Sequence, residues 1–131
     1  MSPVSEAEIV ALVDAFYVKV RRDPVLGPVF ERAIAPDQWP THLAKMYDFW
    51  SSVMLTTGRY KGNPMMAHMQ VEGIEETLFP RWLALFAETA EEICPPATAA
   101  IFRLKSERIA ESLKLGLFFR PALRSSSPPP G

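Results

Sequence analysis

The sequence predicts an all-α protein, and two patterns support that fold class. Apolar residues recur every three or four positions along four long segments, which is the period of an amphipathic helix. No segment shows the strict apolar–polar alternation or the two-residue turn signals that indicate a β-hairpin. Clusters of proline and glycine separate the helical segments, so we expect a series of helices joined by loops.

The first half of the chain is predicted to contain two long helices. The first spans Ser5–Arg22, capped by its own serine and ended by Asp23-Pro24. A helical turn or two, interrupted at Gly27-Pro28, follows it. The second long helix spans about Trp39–Leu55, with Asp37 as its expected cap. The apolar positions expected to face inward are Ile9, Leu12, Val13, Phe16, Tyr17 and Val20, then Leu43, Met46, Tyr47, Trp50, Val53 and Met54.

The second half is predicted to begin with a loop over residues 56–64 and a short helix from Pro64 that carries His68. After a break at Gly73, long helices are expected over Thr77–Ile93 and Thr98–Phe119. Prolines at positions 95 and 96 separate these two helices. The residues expected to face inward are Leu78, Trp82, Leu85, Phe86 and Ile93, then Ile101, Leu104, Ile109, Leu113 and Leu117.

The composition indicates one domain, at residues 1–120, followed by a disordered proline- and serine-rich tail at residues 121–131. Apolar residues make up 48% of the chain and the formal net charge is −1, so we expect no general attraction to nucleic acid or to an anionic membrane. Neither a signal-peptide pattern nor a membrane-length apolar stretch is present. We therefore expect a cytoplasmic protein.

The segment "NPMMAHMQV" holds one of the two histidines, His68, among three methionines. A lone imidazole can ligate iron when a porphyrin supplies the other four nitrogens, and thioethers such as that of Met65 pack well against a flat conjugated ring. The residues alone leave other interpretations open. These are a structural histidine, a methionine-rich copper(I) site, and a nucleophile pair of Cys94 with a histidine.

Four segments resemble the truncated haemoglobins of group III. In chain order they are "AFYVKVRRDPVLGPVF", "WPTHLAKMYDFWSSVML", "GRYKGNPMMAHM" and "LFPRWLALFAET". A tyrosine, a phenylalanine, two histidines and a tryptophan fall in them where that family has functional residues. The resemblance implies a 2-on-2 helical globin sandwich around a b-type haem, iron protoporphyrin IX.

The resemblance also implies which residues hold the haem. His68 matches the proximal residue that ligates the iron, and Phe30 matches the phenylalanine that wedges the haem. Met46 matches an apolar position on the distal wall. Phe49 shares a helix face with Met46 and His42, which lets it line the same wall. Met65 is the thioether expected beside the proximal imidazole.

The implied function is reversible binding of O₂, and of NO and CO, at a pentacoordinate haem iron. Tyr17, His42 and Trp82 match the distal residues. The Tyr17 hydroxyl and the Trp82 indole N–H are expected to donate hydrogen bonds to the ligand, with His42 as a gate. An enzyme that detoxifies NO or peroxide is the alternative, with a reductase as its partner. A haem-free helical interaction protein is a third class.

Overall fold

The computed structural model describes residues 4–62 and 74–119, which form five α-helices and no strand. A 3₁₀ turn, Pro36–Gln38, leads into the third helix, and a π-helical turn, Leu115–Phe119, continues the last one. The all-α prediction is therefore confirmed. The predicted short helix from Pro64, the break at Gly73 and the tail at residues 121–131 lie outside the described residues. The helices are α1 (Glu6–Arg22), α2 (Leu26–Ala33), α3 (Trp39–Leu55), α4 (Leu78–Ile93) and α5 (Pro96–Lys114).

Helix α1 begins where the sequence predicted. Ser5 and Glu8 form a reciprocal cap, in which the Ser5 hydroxyl accepts from the Glu8 backbone N–H at 3.1 Å and the Glu8 carboxylate accepts from the Ser5 N–H at 3.0 Å. All six apolar positions predicted to face inward on this helix are buried. The Lys19 ammonium reaches Glu88 at 2.6 Å and Glu92 at 2.8 Å, which ties α1 to α4.

Helix α2 runs without interruption through Gly27-Pro28, so the predicted break there is wrong. Proline is tolerated in a first turn because the N–H that it lacks has no partner inside the helix. Gly27 is needed for a different reason. A Cβ added at this position would lie 2.9 Å from the Arg21 carbonyl oxygen, so only glycine allows α2 to approach α1 this closely.

Helix α3 has the predicted bounds, but its predicted cap is wrong. The 3₁₀ turn winds directly into α3, and Gln38, which is already helical, takes the cap position without a side-chain hydrogen bond. Asp37 lies within that turn and does not cap the helix. At the other end, Thr56 adopts a left-handed conformation, with φ of 55°, and ends α3.

The inward faces of α4 and α5 differ from the prediction. Ile93 is 37% exposed and Leu104 is 46% exposed, so both were wrongly assigned to the interior. The face of α5 that packs inward carries several small side chains, which allow close contact with α4. Its buried residues are Thr98, Ala99, Phe102, Ser106, Ala110 and Leu113.

The helices form two pairs, as the 2-on-2 arrangement requires. Helix α1 packs on α3, α4 packs on α5, and the two pairs meet where α1 contacts α4. Helix α2 packs across α1. Three phenylalanines at the centre of the core, Phe16, Phe86 and Phe102, are no more than 2% exposed. No helix in residues 4–62 or 74–119 has both the length and the apolar character needed to cross a lipid bilayer.

Candidate ligand-binding site

Three rings from α2 and α3 lie around Tyr17, which is buried on α1. The His42 ring of α3 lies 5.1 Å from the Tyr17 ring, measured between centroids. The Phe30 ring of α2 lies 5.9 Å away, and the Trp39 ring lies 5.8 Å away. The structure thus brings together three of the residues predicted for the site. We call these four residues the distal cluster.

The Tyr17 hydroxyl is a hydrogen-bond donor held in an apolar setting. Tyr17 is only 7% exposed, and burial raises the pKa of its hydroxyl far above the ordinary value. The hydroxyl therefore stays protonated at any physiological pH. Burial is the cause of this shift, and the hydroxyl keeps a proton that it can donate.

His42 is held edge-on between two aromatic rings. Its plane is inclined at 88° to the Tyr17 ring and at 86° to the Trp39 ring. The Nε2 atom of His42 is buried, and so is the Trp39 Nε1 atom, which makes no hydrogen bond within the described segments. The Arg21 guanidinium covers the Trp39 ring at 4.4 Å and pairs with Glu31 at 2.9 Å.

Sequence reasoning did not assign Trp39 to the site. It was treated only as the first residue of a helix. A signal for it was present, because Trp39 precedes His42 by three positions and the two residues therefore share a helix face.

Trp82 reaches the same region from α4. Its ring lies edge-on to Phe16 at 5.5 Å, and Phe16 in turn lies 5.0 Å from the Tyr17 ring. On its other side Trp82 stacks on Phe86 at 5.5 Å, with planes only 4° apart. These contacts fix the plane of the indole. Tyr17 and Trp82, the two predicted donors, thus pack against the same phenylalanine.

Met46 and Phe49 lie on the half-buried face of α3. Both pack against the core on one side and keep part of their surface exposed. Phe49 also lies edge-on to Trp50 at 5.5 Å and to Tyr60 at 5.2 Å. Tyr60 belongs to the loop after α3, and no sequence pattern pointed to it. His68 and Met65, the other predicted haem contacts, lie outside the described residues.

The residues around the distal cluster fit a flat apolar cofactor. Half-buried side chains of α3 and α4 leave apolar surface incompletely covered by the described residues, as a haem pocket requires. The buried Tyr17 side chain and the buried Trp39 Nε1 atom supply hydrogen-bond donors among these rings. The described residues include no group of three histidine, cysteine or acidic side chains that would hold a metal ion directly. The half-buried apolar side chains of α3 and α4 that pack against the core include Leu43, Met46, Phe49, Val53, Leu78, Trp82 and Leu85.

An ion pair beside the site joins the corner between α1 and α2 to the start of α4. The Asp23 carboxylate accepts from Arg81 Nε at 2.7 Å and from Arg81 Nη2 at 2.8 Å. It also accepts from the backbone N–H groups of Val25 at 3.0 Å and Leu26 at 2.8 Å. The hydrogen bonds from Arg81 are the main reason that the pKa of Asp23 falls to about 2. This contact holds the helix of Phe30 against the helix of Trp82.

Replacement of Asp23 by asparagine is expected to lower the free energy of unfolding at neutral pH by about 1.5–3 kcal/mol, because charge-assisted hydrogen bonds are lost. Since the folded-state pKa is depressed, this stabilisation is complete above the ordinary value of 3.8 and disappears as the pH falls toward 2. Urea titrations between pH 7 and pH 2 measure the free energy of unfolding. The values for the unmodified protein and for Asp23→Asn should become equal as the pH approaches 2. Glu31→Gln, which breaks the exposed pair with Arg21, is the control and should cost less than about 1 kcal/mol. A constant difference across the pH range would contradict the assignment.

Comparison with known proteins shows the same fold over most of the chain. A model of the bacterial-like globin family matches residues 5–110. The group 3 truncated hemoglobin ctb of Campylobacter jejuni is 30% identical over 117 residues, which are 88% of this chain and 92% of that protein. The crystal structure of a group III truncated hemoglobin from Campylobacter jejuni aligns with a TM-score of 0.83 and 30% identity, over 88% of this chain and 92% of that chain. The family match begins at the cap of α1 and extends into α5, so it includes every helix that supplies the distal cluster.

Proposed function

Since the chain belongs to the bacterial-like globin family and is a group III truncated haemoglobin, we propose that it holds haem b and reversibly binds O₂. NO and CO are the other diatomic ligands of the same site. The observation that carries the proposal is the Tyr17 side chain, which is buried among aromatic rings and keeps a hydroxyl proton that it can donate. Such a donor stabilises a ligand that acquires negative charge on binding.

The haem would be held mainly by apolar contacts and by one imidazole. His68 is the proposed iron ligand, with Met65 beside it, and Phe30, Met46 and Phe49 are the proposed apolar contacts. Bound haem supplies an iron atom with one open coordination position for a diatomic molecule. The half-buried apolar side chains of α3 and α4 would exclude water from that position, and a dry site would strengthen the hydrogen bonds made there.

Two donors from different helices would act on the ligand. The Tyr17 hydroxyl comes from α1 and the Trp82 indole N–H from α4, and packing on Phe16 sets the spacing of the two rings. Each hydrogen bond in a dry pocket would contribute about 1–3 kcal/mol and would therefore slow ligand release by roughly fivefold to somewhat over a hundredfold. His42, edge-on to Tyr17, is proposed to gate entry to the pocket.

The double replacement Tyr17→Phe and Trp82→Phe tests this proposal. Both changes keep the aromatic ring and remove the donor, so O₂ dissociation should accelerate at least about tenfold. Stopped-flow mixing of the oxygenated ferrous protein with a ligand scavenger measures the rate. Tyr47→Phe is the control, because the Tyr47 hydroxyl donates to Asp14 at 2.5 Å instead. Unchanged dissociation in the double variant would mean that neither donor faces the ligand.

A second candidate function is detoxification of peroxide or NO, with a reductase as partner. The position of His42 favours it, because an imidazole beside the Tyr17 ring, with its Nε2 atom buried, is suited to proton transfer in the distal pocket. The O₂ dissociation rate of the unmodified protein separates the two functions. Rapid release supports delivery of O₂, whereas very slow release together with steady peroxide or NO turnover supports the enzyme.

A further inference from the structure

Five aromatic rings form an unbroken chain from the candidate pocket to the loop after α3. Trp82 stacks on Phe86 with centroids 5.5 Å apart, and Phe86 stacks on Trp50 at 5.0 Å. Trp50 contacts Phe49 edge-on at 5.5 Å, and Phe49 contacts Tyr60 edge-on at 5.2 Å. We call these five residues the aromatic relay. It joins the proposed ligand donor Trp82 to a tyrosine that the ligand-binding function does not use.

The middle of the relay is closely packed and shielded from solvent. Phe86 is 1% exposed and Trp50 is 4% exposed. The planes of Trp82 and Phe86 differ by 4°, and those of Phe86 and Trp50 by 13°, so three rings lie nearly parallel. Tryptophan and tyrosine side chains lose one electron far more readily than phenylalanine. One phenylalanine ring fills each gap between oxidisable rings, so an electron need cross only one ring at each step.

The outer end of the relay is fixed in place and reaches water. The Tyr60 backbone N–H donates to the Ser52 hydroxyl at 3.0 Å, which anchors the loop to α3. The phenol lies against Gly62, where an added Cβ would come within 2.6 Å of its oxygen. Tyr60 is half-buried, so its ring contacts the core while its surface remains accessible. A phenol in this position can release its proton to solvent when it loses an electron.

We propose that the aromatic relay delivers electrons from Tyr60 to the haem pocket when hydrogen peroxide is reduced there. Tyr60 is then the site where a small hydrogen-atom donor, such as ascorbate or a phenol, is oxidised. This rests on the proposed function, because it requires haem beside Trp82. Reduction of one peroxide to two waters consumes two electrons and two protons. Each chain holds one Tyr60, so this phenol is oxidised twice for each peroxide and gives one electron and one proton each time. After each oxidation the phenoxyl radical recovers a hydrogen atom from the donor. Without a donor, two radicals from two molecules join through a carbon–carbon bond as dityrosine, and one of the two oxidising equivalents of each peroxide is left in its pocket.

The two other tyrosines are poorly placed for this role. Tyr17 is 7% exposed, so it cannot meet a donor or a second molecule. Tyr47 donates its hydroxyl to Asp14 at 2.5 Å, and among the described residues its ring stacks on no other aromatic ring. Of the three tyrosines, Tyr60 is the one that both belongs to the relay and keeps part of its surface exposed.

The test treats the haem-loaded protein with hydrogen peroxide and identifies the oxidised residue by peptide mass spectrometry. Electron paramagnetic resonance of samples frozen early in the reaction records the radical. The unmodified protein should give a tyrosyl radical and dimers linked through Tyr60, and ascorbate should suppress both. Tyr60→Phe should lose the linked dimer. Trp50→Phe, which keeps a ring but removes the intermediate electron donor, should show a several-fold lower yield at Tyr60. Tyr47→Phe is the matched control and should behave like the unmodified protein.

The outcomes separate this inference from the function on which it rests. The Soret band and O₂ binding are recorded on the same samples. If both are normal but Tyr60 is not the oxidised residue, or if its yield is the same in Trp50→Phe, the relay is overturned and the ligand-binding function stands. If no haem is bound, both proposals fall. Tyr60 lies in a loop and is only half-buried, so Tyr60→Phe is expected to fold normally. This variant therefore still decides the test if Trp50→Phe folds poorly.

Discussion

His68→Ala is expected to abolish stable haem binding. In the proposed site one nitrogen of this imidazole would form the bond from the protein to the iron, and the remaining contacts would be apolar and non-directional. The Soret band of the purified variant should be absent or greatly weakened after removal of free haem, while helical circular dichroism is retained. His42→Ala is the matched control. It removes the other histidine, which the structure places in the distal cluster, and it should leave haem bound.

The opposite result for this pair of variants would contradict the assignment of His68 as the iron ligand and of His42 as a distal residue. A His68→Ala protein with full haem content and an unchanged spectrum would exclude this residue as the ligand. Loss of haem in His42→Ala alone would place the iron ligand on α3, and the distal roles of Tyr17 and Trp82 would then need reassignment.

Phe86→Ala is expected to lower the free energy of unfolding by about 3–5 kcal/mol, the range for removal of a fully buried aromatic ring. Phe86 is 1% exposed and stacks between Trp50 and Trp82. It also lies edge-on to Phe16 at 5.1 Å and to Phe102 at 6.2 Å. The cavity left by its removal would open at the junction of α1, α3, α4 and α5. Urea unfolding followed by circular dichroism, on the haem-free protein, measures the loss.

Leu104→Ala serves as the control for this prediction. The apolar period of the sequence placed Leu104 in the interior, whereas the structure leaves it 46% exposed. Its truncation should therefore change stability by no more than about 0.5 kcal/mol. Equal losses in the two variants would show that Leu104 is buried and that the face of α5 is turned differently.

The sequence predicted the helices well where strong local signals coincide. The capping pair at Ser5 and Glu8 fixes the start of α1, and large apolar residues at helical spacing mark its buried face. The prediction of the buried faces was wrong where small residues decide the packing. Ala99, Ser106 and Ala110 face α4 because short side chains permit close approach, and a search for large apolar residues overlooks such a face. Leu104 was assigned to the interior by the same reasoning.

The site was predictable only in part. Periodicity placed Tyr17 inward, but its role came from the family resemblance, because a buried tyrosine is usually a core residue. The structure adds what one-dimensional spacing cannot show, the meeting of His42, Phe30 and Tyr17 from three helices. Trp39 could have been included from its spacing of three positions to His42, but its contact with Tyr17 is visible only in the structure. His68 and Met65 remain predictions, since they lie outside the described residues.

The close approach of α2 to α1 at Gly27 has a consequence for how tightly ligands are held. Gly27 and Phe30 lie three positions apart, on one face of α2, and the Phe30 ring meets Tyr17 at 5.9 Å. Any side chain at position 27 would clash with the Arg21 carbonyl and force α2 away from α1. The distance between the Phe30 and Tyr17 rings in the proposed pocket therefore depends on the absence of a side chain at a position that takes no part in the distal cluster.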